Sequence, residues 1–252
     1  LKPLHERKIP VTYRALIVGG GVAGMNAALG IADQGFEVVL VEKEAELGGL
    51  ANRLHKTIEG ADIQTYLSQL ITKVKNHPNI QVLTQSLIVD FSGFKGNFKT
   101  EVLVGPGMYE RKIDHGVIIL ATGGNEYTPK EYLYGQSPNI MTQIDLTDKL
   151  ESDGADNLDQ VVMIQCVGSR DDQHPYCSRV CCSDAVKNAI KLKQEYPDTN
   201  VYVLYRDMPT YGFKEAFYEE ARKKGVIFIR YDLEHKPVVV PVYDGLPVTV
   251  LA

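Results

Sequence analysis

A chain of 252 residues with 44% hydrophobic residues is long enough to bury the cores of two ordinary domains. Its net charge of -5 argues against a nucleic-acid or anionic-membrane surface, because excess carboxylate repels phosphate. No apolar run approaches the ~20 residues that span a bilayer, and the first residues do not form a secretory signal. We therefore expect no direct membrane insertion and a cytoplasmic location. Because the sequence does not begin with Met, we also expect a piece of a longer polypeptide.

A glycine-rich turn follows the first apolar, strand-like run. Gly19, Gly21 and Gly24 have the spacing G-x-G-x-x-G and open an Ala-rich segment, 22–34, that is typical of a helix. The first glycine permits a tight turn, the second lets a pyrophosphate approach the backbone, and the third lets the helix pack closely on the strand. The next predicted strand ends in Glu42, where the ribose of a dinucleotide needs an acceptor. This pattern predicts a dinucleotide-binding domain.

The remainder of the first half predicts a parallel sheet with an antiparallel insertion. After Lys43, a loop containing Gly48 and Gly49 lets the backbone pass close to an extended ligand. Apolar residues recur at helical spacing over 61–76. Four short runs separated by glycines fit an antiparallel β-meander, namely 80–83, 87–91, 98–104 and 109–113. A buried strand over 116–120 then ends in the small residues Ala121, Thr122, Gly123 and Gly124.

The second half repeats a strand–loop–helix–strand pattern and predicts a second Rossmann-like domain. The predicted strands are 160–165, 201–205 and 226–229, and the predicted helices are 184–196 and 214–224. The turn after its first strand does not repeat the G-x-G-x-x-G spacing, which we call the glycine fingerprint. It contains Cys166, Val167 and Gly168 instead. We therefore expect no tight NAD(P)H binding by residues 157–252.

All four cysteines fall between Cys166 and Cys182, with the spacing C-x10-C-x3-C-C. The four thiols have three possible functions. Four thiolates complete the ligand shell of a [4Fe-4S] cluster. Zinc also accepts four thiolates, although adjacent Cys181 and Cys182 fit poorly with its usual C-x2-C pairs. A redox-active disulfide is the third use, since a helix beginning near Cys181 would lower the pKa of a thiol.

The glycine turn, the acid after the second strand, the Gly-Gly loop and the small-residue closure together resemble the flavoprotein reductases with two dinucleotide domains, such as thioredoxin and glutathione reductases. The resemblance implies an α/β fold of two Rossmann-like dinucleotide-binding domains with a small β-meander inserted in the first, which holds FAD. The boundaries would be 1–125 for the FAD-binding domain, 126–156 for a linker and 157–252 for the second domain. The implied FAD-contacting residues are Gly19, Gly21, Val22, Ala23, Gly24, Glu42, Lys43, Gly49, Ile88, Ala121, Thr122 and Gly123.

Residues 166–182, which contain all four cysteines, form the cysteine segment. Together with the Gly-Gly-Gly-Val-Ala-Gly-Met turn, this segment more closely resembles the A subunits of heterodisulfide reductases, and the resemblance covers nearly the whole chain. That resemblance implies an FAD-dependent oxidoreductase of anaerobic metabolism that relays electrons between FAD and an iron-sulfur cluster alongside other subunits of a redox complex. The implied cluster ligands are Cys166, Cys177, Cys181 and Cys182. Two alternatives are an NAD(P)H-dependent FAD disulfide reductase and a non-catalytic subunit that only holds cofactors.

Overall fold

The computed structural model describes residues 9–152, 158–241 and 249–251. Contacts within the chain divide it into two compact units. The first unit contains residues 9–52 and 62–125, and the second contains residues 53–61 together with the described residues from 126 onward. Parts of the sequence-based assignments, namely 1–8, 153–157, 242–248 and 252, lie outside the described residues.

The first unit is built on a four-stranded parallel sheet. Its strands are β1 (Arg14–Val18), β2 (Glu37–Val41), β3 (Ile80–Leu83) and, further along the chain, β7 (Val117–Leu120). Their order is β3-β2-β1-β7. We predicted 80–83 as part of the antiparallel meander, and this was wrong, because Ile80 pairs in parallel with Val38 and β3 extends the parallel sheet. A short apolar run has the same local pattern in either sheet, so its partner decides the direction.

Two helices cover one face of this sheet. They are α1 (Val22–Ala32) and α2 (Ile63–Asn76), and a 3-10 turn spans Gly49–Arg53. Asp62 caps α2 by accepting a hydrogen bond of 2.7 Å from the backbone N–H of Thr65. Of the apolar stripe predicted for this helix, Leu67, Leu70 and Val74 are buried. Tyr66 differs, because it is half exposed and its hydroxyl lies 3.0 Å from Asn26 Nδ2 on α1.

An antiparallel sheet accompanies the other face. It contains β4 (Ser86–Phe94), β5 (Asn97–Val104) and β6 (Tyr109–His115) in the order β4-β5-β6, which confirms the meander for these three strands. Val102 and Ile113 from this sheet pack with Leu16 and Val39 of the parallel sheet. Because both faces of the parallel sheet are covered, its strands are mostly apolar, and polar residues such as Arg14 and Glu37 stand at the strand ends.

The second unit is a smaller parallel sheet with helices. Its elements are α3 (Gln143–Ser152), β8 (Gln160–Ile164), α4 (Cys181–Glu195), β9 (Asn200–Tyr205), a 3-10 turn (Gly212–Lys214), α5 (Glu215–Lys223), β10 (Ile227–Arg230), β11 (Val238–Val240) and β12 (Thr249–Leu251). The parallel strands have the order β10-β9-β8, and β11 pairs antiparallel with β12.

The core of the second unit includes residues that we predicted as a linker. Leu146 and Leu150 of α3 pack with Met163 and Val186, and Ile58 packs against the same cluster. The apolar side of α3 is buried there, so this part of segment 126–156 is structured within the second unit. The assignment of functions to the two units remains a prediction. Among the described helices, we find none whose length and hydropathy would let it cross a bilayer.

Candidate functional site

The three fingerprint glycines have different surroundings. A Cβ on Gly19, whose φ is +110°, would lie 2.2 Å from the carbonyl oxygen of Ala121. A Cβ on Gly24 would lie 1.9 Å from the carbonyl oxygen of Gly19. The packing of β1, α1 and β7 therefore requires these two glycines. A Cβ on Gly21 would meet no atom within 4 Å, so nothing in the described chain explains why this residue is glycine.

A second backbone segment lies beside the glycine turn. The N–H of Gly48 donates to the carbonyl oxygen of Gly20 at 2.9 Å, and Gly21 forms a parallel bridge with Gly48. A Cβ on Gly49 would lie 3.4 Å from the Cα of Gly21. The predicted Gly-Gly loop and the fingerprint turn thus form adjoining backbone walls without side chains.

Glu42 follows β2 and is buried, with 6% of the residue exposed. Its Oε2 accepts a hydrogen bond of 2.6 Å from the N–H of Gly20, and its Oε1 accepts one of 2.8 Å from the N–H of Glu44. The carboxylate therefore links the glycine turn to the loop after β2. This carboxylate stands beside the predicted ligand site and also holds both of its backbone walls in place.

The other predicted FAD residues fall at several places in the first unit. Val22 and Ala23 are the first two residues of α1, and Gly21 is its N-cap. Lys43 is exposed, and its Nζ lies 3.5 Å from Glu44 Oε1. Ile88 lies in β4 beside a register shift. The remaining predicted residues are the small residues after β7, namely Ala121, Thr122 and Gly123. The N–H of Ala121 donates a hydrogen bond of 2.8 Å to the carbonyl oxygen of Val18, and Thr122 and Gly123 are exposed.

This site fits the pyrophosphate of a dinucleotide. The first N–H groups of a helix lack partners within the helix, and the helix dipole favours an anion at that end. The space beside Gly21 is where such an anion would approach α1. These observations support a dinucleotide site at this turn.

The cysteine segment links the end of β8 to the start of α4. Cys166 follows β8, and Cys181 is the first residue of α4, as expected for a helix beginning near Cys181. Cys166, Arg170 and Arg179 all have left-handed backbone, with φ near +60°. This conformation is strained for residues other than glycine, and such strain concentrates at functional sites.

The surroundings of three of the thiols shift their pKa values in different directions. A hydrogen bond from the thiol of Cys182 is the main cause that lowers the pKa of Cys181. The same interaction raises the pKa of Cys182, and burial adds to this effect. Burial also raises the pKa of Cys166, and Arg170 opposes it. The Cys182 thiol therefore favours the thiolate form of Cys181 at the start of α4.

An ion-paired arginine lies against the first thiol. Arg170 Nη1 lies 3.9 Å from Cys166 Sγ, and its Nη2 lies 2.5 Å from Asp207 Oδ2. Arg230 also contacts Asp207, at 3.5 Å, and Arg206 donates to the carbonyl oxygen of Arg170. The loop after β9 therefore fixes the cysteine segment.

The four thiols fit an iron-sulfur cluster in donor chemistry. In residues 9–152, 158–241 and 249–251, however, no three side chains of His, Cys, Asp or Glu are arranged to hold a metal ion. The charges of Cys166, Cys177 and Cys181 all affect the pKa of Cys182, so these groups belong to one electrostatic neighbourhood. Cys177 Sγ accepts a hydrogen bond of 3.3 Å from the N–H of Arg179.

Sequence reasoning missed Asp207 and Tyr231. The hydroxyl of Tyr231 donates to the carbonyl oxygen of Gln165, just before Cys166. Asp207 and Tyr231 lie 41 and 65 residues beyond Cys166, so no local pattern joins them to it. One signal was available: neighbouring parallel strands end at the same edge of a sheet, so the residues directly after β9 and β10 were candidates.

In the turn after β8, the first turn of the second unit, there is no free space beside Gly168. Gly168 has a φ of +62°, and a Cβ there would lie 2.1 Å from the ring of Tyr127. The place that a pyrophosphate would need beside this glycine is therefore filled by an aromatic side chain.

Comparison with other proteins identifies relatives of this chain. It is 30% identical to an iron-sulfur A subunit of CoB–CoM heterodisulfide reductase from Methanopyrus kandleri, over 98% of this chain and 53% of that one. It is 29% identical to the A subunit of the H(2):CoB-CoM heterodisulfide,ferredoxin reductase from Methanothermobacter marburgensis, over 91% of this chain and 49% of that one. The chain thus spans about half the length of these curated relatives. The predicted resemblance to heterodisulfide reductase A subunits is confirmed.

Solved structures show the same fold at low sequence identity. Thioredoxin reductase of T. acidophilum matches with a TM-score of 0.59 and 19% identity, over 94% of this chain and 69% of that one. The HOCl-induced flavoprotein disulfide reductase RclA of Escherichia coli matches with a TM-score of 0.53 and 15% identity, over 93% of this chain and 54% of that one. The predicted α/β fold class is confirmed.

A family model supplies the assignment. The model of the pyridine nucleotide-disulphide oxidoreductases matches residues 13–167, which is more than half of the chain and includes the glycine turn, Glu42 and Cys166. The chain belongs to the pyridine nucleotide-disulphide oxidoreductase family.

Proposed function

We propose that this chain is the FAD-binding, electron-transferring part of an oxidoreductase subunit similar to the A subunits of heterodisulfide reductases. The observation that carries the proposal is the open space at Gly21. The fold requires glycine at positions 19 and 24 but not at 21, whereas a bound pyrophosphate would require it there. The names of the curated relatives support the assignment to a multisubunit redox complex.

In this proposal, the first unit holds FAD. Gly21 and the N–H groups of Val22 and Ala23 would bind the pyrophosphate, and Glu42 would orient the ribose while holding the turn. Lys43, Gly49 and the backbone at Ile88 would line the rest of the adenosine site. Ala121, Thr122 and Gly123 would lie against the cofactor. FAD, when bound, supplies the electron-accepting chemistry, and the chain would position it.

The second unit would hold the partner centre at its cysteine segment. Cys166, Cys177, Cys181 and Cys182 would bind one [4Fe-4S] cluster, because their number matches its ligand shell. Their position after β8 and at the start of α4 brings residues distant in sequence to one edge of the sheet. Arg170 would lie against the ligand Cys166 and stabilise its negative charge.

One observation favours a second candidate function, which is thiol–disulfide exchange. The pKa of Cys181 is lowered, and the thiol of Cys182 is its hydrogen-bond partner. A thiolate of this kind at the start of a helix is suited to attack a disulfide. This chemistry would make the chain a disulfide reductase. The position of the Tyr127 ring beside Gly168 argues against NAD(P)H as the electron donor of such a reductase.

The test is anaerobic reconstitution with iron, sulfide and FAD, followed by counting of iron, sulfide and flavin in the parent and in each single Cys→Ser variant. We expect about four iron atoms for the parent, the composition of a [4Fe-4S] cluster, and a loss of iron in the variants. Uptake of flavin without iron would refute the cluster and leave thiol exchange as the function. Uptake of neither cofactor, with retention of zinc alone, would refute the electron-transfer role of this chain.

A further inference from the structure

Three buried polar side chains in the second unit have no hydrogen-bond partner at one of their atoms. Across the described residues, 9–152, 158–241 and 249–251, these atoms are Gln165 Nε2, Ser183 Oγ and Thr210 Oγ1. Gln165 is 2% exposed, Ser183 is 7% exposed and Thr210 is fully buried. Buried polar atoms are almost always hydrogen-bonded, so three such atoms in one unit require an explanation.

All three residues flank the cysteine segment or the loop that fixes it. Gln165 directly precedes Cys166, and Ser183 directly follows Cys182. Thr210 lies in the loop after β9, three residues beyond Asp207, whose carbonyl oxygen lies 3.8 Å from Cys182 Sγ. Because β8 and β9 are adjacent and parallel, the segments that follow them meet at one edge of the sheet.

The strand pattern also places Gln165 on the helix-covered side. Side chains two residues apart in a strand share a face, and Met163 packs with Ala185 and Val186 of α4. Gln165 continues this face toward the first turn of α4, where Cys182 and Ser183 are buried. The amide and the nearby hydroxyl therefore belong to the same side of the sheet as the start of the helix.

The unpartnered atoms share one chemical property, which is that each can donate a hydrogen bond. The amide nitrogen of Gln165 is a donor only, and the two hydroxyls donate through rotatable O–H bonds. Thiolate and sulfide sulfur accept hydrogen bonds, and such bonds raise the reduction potential of a cluster because they stabilise its more negative, reduced state. A sulfur-rich group at this edge of the sheet would supply hydrogen-bond acceptors that these three atoms do not find among the described residues.

We propose that Gln165, Ser183 and Thr210 are positioning residues that donate hydrogen bonds to the sulfur atoms of the centre bound by the cysteine segment. This inference rests on the proposed function. It assigns to these residues the retention of the centre and the setting of its reduction potential. Without the centre, their unpartnered atoms destabilise the fold, because a buried donor without an acceptor has lost its hydrogen bonds to water.

The experiment uses apolar replacements of similar volume in the full chain, namely Gln165→Met, Ser183→Ala and Thr210→Val, singly and together. The matched control is Thr199→Val. Thr199 is equally buried in the same unit, but its hydroxyl donates to the carbonyl oxygen of Leu158 at 2.7 Å. For each anaerobically reconstituted protein, the rate of iron loss to a chelator and the reduction potential of the centre are measured. The melting temperature is measured on the metal-free chain.

We expect opposite effects on the centre and on the empty chain. The triple variant should lose iron about tenfold faster than the parent and have a lower reduction potential, as changes around metal ligands commonly do. Its metal-free melting temperature should equal or exceed that of the parent. Thr199→Val should lower the melting temperature of the metal-free chain, because it breaks a hydrogen bond that is made, and should leave the potential unchanged.

The outcomes separate this inference from the proposed function. If the parent binds iron, and the triple variant keeps the same iron-loss rate and potential, the inference is wrong while the cluster assignment stands. A triple variant that melts lower than the parent without metal also overturns the inference, because its polar atoms then have partners within the chain. A parent that binds no iron overturns both.

Discussion

Arg170 bridges the cysteine segment and the loop after the neighbouring strand, with its guanidinium 3.9 Å from Cys166 Sγ and 2.5 Å from Asp207 Oδ2. A positive group beside a thiol favours the thiolate, whereas burial raises the pKa of Cys166. The contact therefore opposes the effect of burial at the thiol that follows β8. A guanidinium keeps its charge at every physiological pH, so this opposition is permanent.

Replacement of Arg170 should make Cys166 less reactive. In the metal-free Arg170→Gln variant, the pKa of Cys166 rises further, so alkylation of this thiol by iodoacetamide at pH 8 should slow severalfold. Peptide mapping identifies the alkylated residue. Arg230→Gln is the control, because Arg230 contacts the same Asp207 from the neighbouring strand. Equal slowing in both variants would show that the loop, rather than the guanidinium, controls the thiol.

Loss of the Glu42 carboxylate should destabilise the first unit even without a ligand. Glu42→Gln leaves one oxygen to accept two backbone N–H groups and points an amide N–H₂ at a donor. We expect a loss of about 1–3 kcal/mol in the free energy of unfolding, measured in denaturant. Glu37→Gln is the control on β2, because its ion pair with Arg14 is exposed and contributes about 0–1 kcal/mol. Equal losses would show that the buried contacts contribute nothing beyond those of a surface pair.

The stability of the first unit should fall as the pH drops below about 6.5, the usual pKa of histidine. His115 is buried between Thr100 Oγ1, at 2.8 Å, and the carbonyl oxygen of Val117, at 2.9 Å, and burial lowers its pKa. The unfolded chain then takes up a proton at a higher pH than the folded chain, so protonation favours unfolding. Stability is full above the unfolded pKa and decreases as the pH falls toward and past the folded pKa.

The pH effect is measured as the free energy of unfolding between pH 7.5 and pH 5. His115→Gln should lower stability at neutral pH and flatten this slope. The exposed His235 provides the control, and His235→Gln should keep the slope of the parent. A parent slope that survives in His115→Gln would assign the pH dependence to other groups.

The second unit should not bind NADH tightly. The ring of Tyr127 fills the space at Gly168, and the side chains of Arg206 and Asp207 after β9 are bonded to the cysteine segment. In a protein loaded with FAD, NADH should leave the flavin absorbance unchanged over minutes, while dithionite bleaches it. Rapid bleaching by NADH in stopped-flow measurements would contradict this account and favour the disulfide reductase alternative.

Local patterns predicted much of the first unit because its elements carry their own signals. The apolar runs of β1, β2 and β7 and the glycine turn were recognised from consecutive residues. The pairing of β3 was not, since a four-residue run does not show which strand it will join. Residues 53–61 also read as part of the first domain, because no local feature indicates that Ile58 packs in the core of the second unit.

The contacts of the cysteine segment were also not predictable from local sequence patterns. Its thiols were identified from sequence, but the pairing of Arg170 with Asp207 joins residues 37 positions apart. The unpartnered atoms of Gln165 and Thr210 follow from burial, which depends on the whole unit. Such contacts are tertiary, and composition and spacing do not encode them.

We propose that Gly21 carries no side chain so that the pyrophosphate of FAD can approach α1. The most direct test is an equilibrium titration of the chain with FAD, followed by flavin fluorescence, for the parent, Gly21→Val and Gly30→Val. Gly30 is the matched control, because it lies within α1, the helix that Gly21 caps, and a Cβ there also meets no atom within 4 Å. We expect Gly21→Val to fold like the parent but to bind no FAD, and Gly30→Val to bind FAD like the parent. Stoichiometric binding of FAD by Gly21→Val would contradict it.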